Sequence, residues 1–542
     1  MLGAPIHVID LFAGPGGLGE GFASRSDVFR ILVSAECSEP AHQTLRLRAF
    51  KRLLEREGLS LTSYYDYVAG RAPTPVTANN KDAWHCADQE AQRLELGKES
   101  DDRELEGLLE KERLESRDDW VLIGGPPCQA YSMVGRARNR SNIGYVPEED
   151  QRHFLYLDYL KLIQHYRPAV FVMENVKGML SSQVGGRRIF HQILEDLTRP
   201  DEALGRSSKG HGYRIHSLMG EEVVYEHGDD IDEFLRAFGH EAFLVHAEYF
   251  GVPQTRHRVF LVGIREDLQG VAPRPLRCAD QEPTVSEVLS DLPALRSGLS
   301  RNDSEEAWRQ AVVEQGKQLA AEASAAGKSA VAEELARQVN KLASMPPLTI
   351  GAQRVPKQGS SKGPIERTAL HRWLECEELD VWLNHQARTH MPSDLGRYLY
   401  AAAFTNLYGR SPVGAEEFDL PSLAPNHANW ASGKFADRFR VQPWNQGSKT
   451  ITSHICKDGH YYIHPDPWQC RSFSVREAAR IQTFPDDYFF EGNRTEQYHQ
   501  VGNAVPPWLA RQIAEIVHEI LCDAGLAPTS READSQLALR LA

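Results

Sequence analysis

The sequence predicts an α/β fold with a buried, mostly parallel sheet, and three observations support this prediction. Apolar runs without polar alternation occur at 6–10, 31–35, 121–123 and 169–173, as expected for strands covered on both faces. The first run leads into a glycine-rich turn and a helical pattern, the usual start of a unit that binds a nucleotide or nucleoside. At 542 residues the chain exceeds one typical core, so we expect at least two domains.

The composition is that of a globular protein. Hydrophobic residues make up 41% of the chain and no apolar run approaches membrane-spanning length, so we expect a soluble, cytoplasmic protein. The eight cysteines lack CxxC spacing, which indicates neither a zinc site nor a disulfide framework. The net charge is -14, but about half of this excess lies in 81–120. The acidic total therefore does not exclude a basic groove elsewhere that binds nucleic acid.

The glycine-rich turn at 12–22 directly follows the first predicted strand. Its glycines allow a ligand to approach the backbone, and the following helix offers unpaired N–H groups. The next strand, 31–35, ends in Glu36, where an acid is suited to bidentate hydrogen bonding with ribose hydroxyls. A plain tight turn and a solvated strand-end acid are the alternatives.

Residues 43–119 have helical spacing and predict solvated helices that lengthen a connection. A third strand is expected within this segment. Its acidic end would hold the base of a bound nucleoside, and Asp82, Asp88 and Asp101 are all candidates. The segment is interpreted as a surface elaboration, with a partner-binding or DNA-contacting role as the alternative.

Cys128 follows a predicted buried strand through Gly124, Gly125, Pro126 and Pro127. The prolines end the ladder and stiffen the loop, so Cys128 is expected at the carboxyl edge of the sheet, where α/β folds place their chemistry. An inert, buried cysteine is the alternative. The polar stretch 135–142 beyond it suits phosphate contacts, or is an ordinary solvated loop.

A second chemically suited group follows a neighbouring predicted strand. The run 169–173, preceded by a helix at 154–166, ends in Glu174, level with Cys128. A carboxylate at this edge is a candidate acid or hydrogen-bonding group, and a solvated strand-end acid is the alternative. Further along, alternation places Gln254, Arg256 and Arg258 on one strand face, which suits an anionic or carbonyl-rich ligand, or else a salt-bridge ladder.

The middle of the chain has little regular patterning. Residues 181–241 are interpreted as an insertion or a long crossover, and 272–293 as a linker with one short helix at 285–289. Residues 305–342 predict an antiparallel helical pair or a peripheral helix, with Gly316 and Gly327 as breaks. The polar and aromatic mixture at 346–464 suits recognition of base edges and phosphates, but it also fits any irregular small domain.

The last segments predict local structure more clearly. Strands are expected at 449–452 and 461–465. Ser474 and Glu477 predict a capping box that starts a helix. A tight turn is expected at 500–507, followed by an apolar-faced helix at 508–521 that packs back on the first domain.

Taken together, these motifs resemble the C5-cytosine DNA methyltransferase family. The match is ordered along the chain and covers about half of it: DLFAGPGG at 10–17, Glu36, GGPPCQ at 124–129, ENV at 174–176, QTRHR at 254–258, RSFSVREAARIQTFPD at 471–486 and QVGNAVPP at 500–507.

The resemblance implies a Rossmann-like catalytic domain that binds S-adenosyl-methionine and releases S-adenosyl-homocysteine without a metal. It divides the chain into 1–285, a target-recognition domain at 286–464 and a completing segment at 465–525. From their terminal position, residues 526–542 are expected to form a flexible tail. The implied cofactor contacts are Asp10, Phe12, Ala13, Gly14, Gly16, Gly17, Glu36, Pro126, Leu155, Asn503 and Val505. Cys37, where relatives often have a bulky residue against adenine, departs from the pattern.

The family mechanism agrees with the residue chemistry. Cytosine C5 is a poor nucleophile, so a thiolate must first add at C6, and a carboxyl group can stabilise charge that develops at N3. The implied catalytic residues are Cys128, Glu174, Arg256 and Arg258, and those implied to contact DNA are Gln129, Ser132, Arg136, Arg138 and Gln254.

The expected partner is double-stranded DNA, with the cytosine flipped out of the helix. We further expect a monomer with a role in restriction–modification or phage defence, and with cognate restriction or defence proteins as possible partners. An RNA methyltransferase is disfavoured because that branch lacks a large recognition domain. A silent DNA-binding paralogue is disfavoured because such proteins lose the cysteine, the glutamate or the cofactor glycines.

Overall fold

The computed structural model describes residues 5–127, 155–184, 187–206, 210–357, 368–424 and 438–528. The strands within these ranges are β1 Ile6–Leu11, β2 Phe29–Ala35, β3 Ala91–Gln92, β4 Val121–Gly124, β5 Val170–Val176, β6 Gln183–Val184, β7 Arg187–Arg188, β8 Tyr213–His216, β9 Val224–Tyr225, β10 Leu244–His246, β11 Gln254–Thr255, β12 His257–Arg265, β13 Gly298–Leu299, β14 Gly351–Pro356, β15 Val381–Gln386, β16 Thr389–His390 and β17 Ser448–Lys449.

The α-helices in the same ranges cover both faces of the sheet and build most of the middle of the chain. They are α1 Gly17–Ala23, α2 Glu39–Arg56, α3 Thr62–Val68, α4 Lys81–Glu90, α5 Glu99–Lys111, α6 Leu155–Tyr166, α7 Ile189–Thr198, α8 Pro200–Ala203, α9 Ile231–Phe238, α10 Val285–Leu289, α11 Glu305–Ala325, α12 Ser329–Ser344, α13 Ala369–Leu374, α14 Pro392–Tyr408, α15 Gly414–Glu417, α16 Val475–Ile481, α17 Arg494–Asn503 and α18 Pro507–Asp523.

A central nine-stranded sheet confirms the predicted α/β fold. Its strand order is β3-β2-β1-β4-β5-β12-β8-β9, with β10 also paired to β12. The strands from β3 to β5 are parallel, whereas β12 runs antiparallel to β5. Successive residues of β4 face opposite hydrophobic clusters, with Leu122 in one and Val121 and Ile123 in the other. The sheet is therefore buried on both faces, as its continuous apolar runs predict.

Six residues of the segment 181–241, in β8 and β9, belong to the central sheet, a detail that its interpretation as an insertion or long crossover did not include. β8 pairs antiparallel with β12, and β9 pairs antiparallel with β8. β8 has four residues and no continuous apolar run, since Arg214 and His216 interrupt it, and its partners in β12 are distant in sequence. Local patterning therefore did not identify them.

The C-terminal helix α18 packs on the first helix of the chain, as predicted. A Cβ atom added to Gly21 in α1 would lie 2.4 Å from Ala510 in α18. A Cβ atom added to Gly17 would lie 2.2 Å from the Val505 carbonyl oxygen just before α18. Glycine at both positions thus lets the two ends of the chain approach closely beside the glycine-rich turn.

The helical pair at 305–342 is present as α11 and α12, but only one of the two predicted breaks is a break. Gly327 lies between the helices with φ of 74°. Gly316 lies inside α11, where an added Cβ atom would be 2.4 Å from Val339 Cγ2 and 2.8 Å from Leu399 Cδ2. Its role is to allow close packing of α11 on α12 and α14.

Two further predictions about the C-terminal third needed correction. The turn expected at 500–507 is the end of α17, which continues to Asn503, followed by the start of α18 at Pro507. Of the strands expected at 449–452 and 461–465, β17 spans two residues and Ile463 forms isolated bridges. The short helix α10 and the Ser474–Glu477 capping box are confirmed.

The segment 43–119 forms helices, as predicted, and these helices pack against residues near 380 and 487. Tyr64 in α3 donates a hydrogen bond to the Asp487 carbonyl oxygen at 2.8 Å, and Arg71 pairs with Asp380 at 2.8 Å. Residues of α2, α3 and α4 share a hydrophobic cluster with Leu379 and Leu383. Among the described residues, no helix is both long and apolar enough to cross a membrane.

Candidate active site

The glycine-rich turn adopts a strained backbone that opens toward the carboxyl edge of the sheet. Phe12, Gly14 and Gly16 have φ values of 56°, 59° and 98°. Positive φ is costly for phenylalanine, so the surrounding structure must enforce it. A Cβ atom added to Gly14 would meet nothing within 4 Å, which leaves space against the backbone. Ala13 anchors the turn by donating to the Ala35 carbonyl oxygen at 3.1 Å.

Glu36 connects this turn to the end of β2. Its carboxylate accepts hydrogen bonds from the backbone N–H of Gly14 at 2.9 Å and of Ser38 at 2.7 Å. These two donors orient the carboxylate beside the open turn. The structure therefore brings Glu36 and the glycines together, as expected for residues that share one ligand.

Asp10 at the end of β1 is almost completely buried and faces the backbone of α1. Its Oδ2 lies 2.6 Å from the position of a Cβ atom added to Gly19. Burial raises the pKa of Asp10 to about 8. Contact with α1 indicates that Asp10 positions the turn from beneath.

The acidic group that follows β3 is Glu95, which sequence reasoning missed. β3 pairs in parallel with the end of β2, and Leu94 donates to the Glu36 carbonyl oxygen at 3.2 Å. Asp82 and Asp88 lie in α4, before the strand, and Asp101 accepts the Glu95 N–H at 3.0 Å. Glu95 is exposed at the same edge as Glu36. β3 has two residues, so no apolar run marked the position.

The other expected cofactor contacts surround the same edge. Leu155 lies at the start of α6, near the loop after β3, where an added Cβ atom on Gly97 would be 3.2 Å from Leu155 Cδ2. Val505 lies against Gly17, and Asn503 is exposed at the end of α17.

Pro126, on the loop after β4, is held by the neighbouring strand. Asn175 in β5 is buried and donates from its side chain to the Pro126 carbonyl oxygen at 3.4 Å. Gly125 passes Glu174 closely, since an added Cβ atom would lie 3.0 Å from Glu174 Oε2. The Asn175 hydrogen bond therefore holds the backbone of the loop at Pro126, and Gly125 allows the loop to pass close to Glu174. Asn175 is a second residue whose role became visible only in the structure.

Glu174 and Arg258 form the central polar pair of this edge. Arg258 Nε lies 2.9 Å from Glu174 Oε1, and the side chains are 16% and 13% exposed. The pairing is possible because β12 runs antiparallel to β5, with Phe260 opposite Glu174 and Arg258 opposite Val176. Burial lowers the pKa of Arg258, and Glu174 counteracts that effect. The pair leaves a partly exposed carboxylate that can engage a ligand.

Arg256 and Gln254 differ from the roles expected for them. Arg256 is buried and donates to the carbonyl oxygens of Ile451 at 2.9 Å and Ala504 at 2.8 Å. Gln254 is completely buried, and its amide bonds the Ile451 N–H and the Ile481 carbonyl oxygen. In this conformation neither side chain is available to DNA or cytosine. Arg256 joins the segments around 451 and 504 to the start of β12, and Gln254 joins β11 to the segments around 451 and 481. Both therefore position Arg258 and the C-terminal contacts.

Five of the expected site residues lie outside the residues that the structure describes. They are the nucleophile candidate and the DNA contacts of the following stretch: Cys128, Gln129, Ser132, Arg136 and Arg138. Their roles remain predictions from the sequence.

Comparison with known proteins identifies the family of the chain. A family model for the C-5 cytosine-specific DNA methylase matches residues 77–201 and 229–519. The chain is 30% identical to type II methyltransferase M.Bpa9945I of Bacillus paralicheniformis, over 95% of this chain and 99% of that protein. It is 26% identical to type II methyltransferase M.AgeI of Thalassovita gelatinovora, over 94% and 99% of the two chains. It is 27% identical to DNA (cytosine-5-)-methyltransferase M.ApeKI of Aeropyrum pernix, over 95% and 98%.

The family match spans well over half of the chain, and it includes Glu174, Arg258 and the segment that contains Asn503 and Val505. The geometry at the carboxyl edge and the extent of this match lead to one conclusion. The protein belongs to the C-5 cytosine-specific DNA methylase family and is a DNA (cytosine-5-)-methyltransferase.

Proposed function

We propose that this protein methylates C5 of one cytosine within a short sequence of double-stranded DNA, with Cys128 as the nucleophile and S-adenosyl-methionine as the methyl donor. The observation that carries this proposal is the Glu174–Arg258 pair beside the loop of Pro126. Pro127, the next residue, directly precedes Cys128 in the sequence. A fixed carboxylate near a thiol-bearing loop is the arrangement that addition to cytosine requires.

The carboxyl edge fits S-adenosyl-methionine. The open space at Gly14, the oriented carboxylate of Glu36 and the exposed Glu95 suit an amino acid, a ribose and an adenine. Phe12, Leu155 and Val505 supply apolar surface around this space. Bound there, S-adenosyl-methionine supplies an electrophilic methyl group.

The residues of the chain carry the remaining chemistry. The Cys128 thiolate adds to C6 of the cytosine, and the electron pair moves toward N3, where Glu174 donates a proton or hydrogen bond. Arg258 orients the Glu174 carboxyl group and can bind the O2 side of the base. After methyl transfer to C5, loss of the C5 proton and elimination restore the double bond and release the Cys128 thiolate.

Access to the base requires extrusion from duplex DNA, which costs a few kcal/mol of stacking and pairing. Arg136, Arg138, Gln129 and Ser132 are proposed to contact the DNA around the extruded cytosine. Residues 286–464 are proposed to recognise the target sequence, as a region inserted between the two parts of the catalytic domain. A monomer that binds one site fits this arrangement.

The biological role proposed is modification of host DNA, within a restriction–modification or other defence system and alongside cognate proteins of that system. The relatives M.Bpa9945I and M.AgeI are named type II methyltransferases, which supports this assignment. RNA methylation and a silent paralogue are not favoured, because the family match and the retained Glu174–Arg258 pair agree with an active DNA enzyme.

The decisive experiment measures 5-methylcytosine in genomic DNA from cells that express the protein or its Cys128→Ala variant. We expect mass spectrometry to detect 5-methylcytosine with the parent protein and none with Cys128→Ala, and bisulfite sequencing to place it in one short context. Unmodified DNA with the parent protein would contradict the proposed substrate. Persistent methylation with Cys128→Ala would contradict the nucleophile.

A further inference from the structure

A cluster of two histidines and one glutamate lies beside the catalytic pair, and the proposed reaction does not use it. β10 and β12 are antiparallel, with His246 directly opposite His257. Glu248 follows His246 by two residues, on the 3₁₀ turn after β10. Their ligand atoms all lie within 4.8 Å of one another.

The cluster is already compact. His257 Nε2 lies 2.7 Å from Glu248 Oε1, and His246 Nδ1 lies 3.9 Å from the same oxygen. The two imidazole rings stack with centroids 3.9 Å apart. Small rotations of the two rings would direct one nitrogen atom of each histidine toward a common ligand position.

Glu248 carries the second, independent observation. Its side chain is 8% exposed, yet its Oε2 atom is buried and has no hydrogen-bond partner among the residues that the structure describes. Burying a carboxylate oxygen without a partner is costly. A bound cation would satisfy it.

We propose that His246, Glu248 and His257 bind a divalent transition-metal ion of the zinc class. Two imidazoles and one carboxylate form a common protein ligand set for Zn²⁺, with a fourth position left for water. Imidazole ligands favour zinc-class ions over Mg²⁺ and Ca²⁺, which prefer oxygen. The side chains of His246 and His257 are 25% and 31% exposed, so an ion can reach them from solvent.

The position of the site suggests its role. Arg258 follows His257 in β12, donates to the His257 carbonyl oxygen at 2.8 Å and pairs with Glu174. An ion that bridges β10 and β12 would hold this strand pair beside the catalytic edge. The metal is therefore a positioning element, separate from the metal-free methyl transfer that the family resemblance implies.

Lys177 is a nearby positive charge that opposes cation binding, but it forms an ion pair with Glu241. Burial lowers the pKa of His246, and the charge of Lys177 adds to this effect. Lys177 Nζ lies 2.6 Å from Glu241 Oε1. The site also escaped sequence reasoning, because its spacing matches no familiar zinc motif. The antiparallel pairing of β10 and β12 brings the two histidines together across ten intervening residues.

Zinc affinity of the full-length protein tests the proposal, by competition with a chromophoric chelator. We expect the parent protein to bind one Zn²⁺ that His246→Gln or His257→Gln weakens at least tenfold. Glu248→Gln retains a hydrogen-bonding side chain beside His257 and should also weaken binding. His227→Gln changes an exposed histidine elsewhere and should leave the affinity unchanged. Circular dichroism checks that each variant is folded.

Co²⁺ spectroscopy separates this site from the free cysteines of the chain. Binding at the cluster should give visible d–d bands without sulfur-to-cobalt charge transfer, and the His246→Gln and His257→Gln variants should lose these bands. Equal Zn²⁺ affinity in the parent and the cluster variants, or Co²⁺ spectra with thiolate charge transfer alone, would overturn the proposal. Neither measurement depends on methyltransferase activity, so the proposed reaction and the metal site can fail separately.

Discussion

The carboxyl edge of the central sheet and the helical layer of α11, α12 and α14 are built on different principles. At the sheet edge, Glu174 and Arg258 are polar, partly exposed and paired across two strands. In the helical layer, Gly316 is buried against Val339 and Leu399, and no space remains for a methyl group. A changed side chain should therefore alter the chemistry at the edge, but the stability of the protein in the layer.

The largest expected effect is at Glu174. Glu174→Gln preserves the volume but removes the carboxyl group that is proposed to act on N3 and that pairs with Arg258. We expect the methyl-transfer rate to fall by roughly 10²–10⁴-fold. Single-turnover kinetics on duplex DNA measure this loss, and thermal unfolding provides the stability control. A rate within a few-fold of the parent would remove Glu174 from the mechanism.

Arg256, just before β12, and Arg258, within it, should give different results when each is replaced by lysine. Arg258→Lys keeps the charge but loses the directed Nε contact with Glu174, so we expect kcat to fall by roughly tenfold or more with little change in stability. Arg256→Lys cannot bridge the carbonyl oxygens of Ile451 and Ala504, so we expect about 1–3 kcal/mol of lost stability. Comparison of kcat with the free energy of unfolding separates the two roles. A pure rate defect in Arg256→Lys would restore its predicted catalytic role.

In the helical layer, a glycine-to-alanine change either raises or lowers the free energy of unfolding. A decrease indicates close packing at the glycine, and an increase indicates that helix propensity dominates. Gly316→Ala forces a methyl group to within 2.4 Å of Val339 Cγ2, and we expect a loss of about 1–3 kcal/mol. Gly107→Ala in α5 is the matched control, because an added Cβ atom there meets nothing within 4 Å. It should stabilise the protein by about 0.5–1 kcal/mol. Chemical denaturation measures both values, and stabilisation by Gly316→Ala would refute the packing role.

The stability of the protein should also depend on pH through Asp10. Burial raises the pKa of Asp10 to about 8 from a usual 3.8, so the folded state retains a proton that the unfolded state has lost. The contribution of Asp10 to the free energy of unfolding should therefore be present below pH 3.8 and fall as the pH rises to about 8. Asp10→Asn should flatten this decline. Denaturation at pH 5 and at about pH 8 tests this, and equal declines in both proteins would contradict it.

Much of the carboxyl edge of the sheet could be predicted, because short local stretches of sequence mark the strand ends that form it. A continuous apolar run followed by glycines, prolines or an acid marks a strand end, and parallel strand ends meet at one edge. That reasoning located Glu36 and Glu174, and the pattern at 474–477 located a helix start. Residues in short strands, or in strands whose partners are distant in sequence, could not be identified from the local pattern. Glu95 follows a two-residue strand, and β8 joins the sheet through partners distant in sequence.

By itself, the sequence determined the α/β fold, the order of the family motifs and the residues proposed for the reacting centre. Only the tertiary structure decided which polar groups are available to a ligand and which are buried and bonded to other parts of the protein. The alternation along the sequence places Arg256 and Arg258 on one face of a predicted strand. In the structure, however, Arg256 donates to the carbonyl oxygens of Ile451 and Ala504, while Arg258 pairs with Glu174. The reason is that burial and pairing depend on segments hundreds of residues apart, which the spacing along one strand does not record.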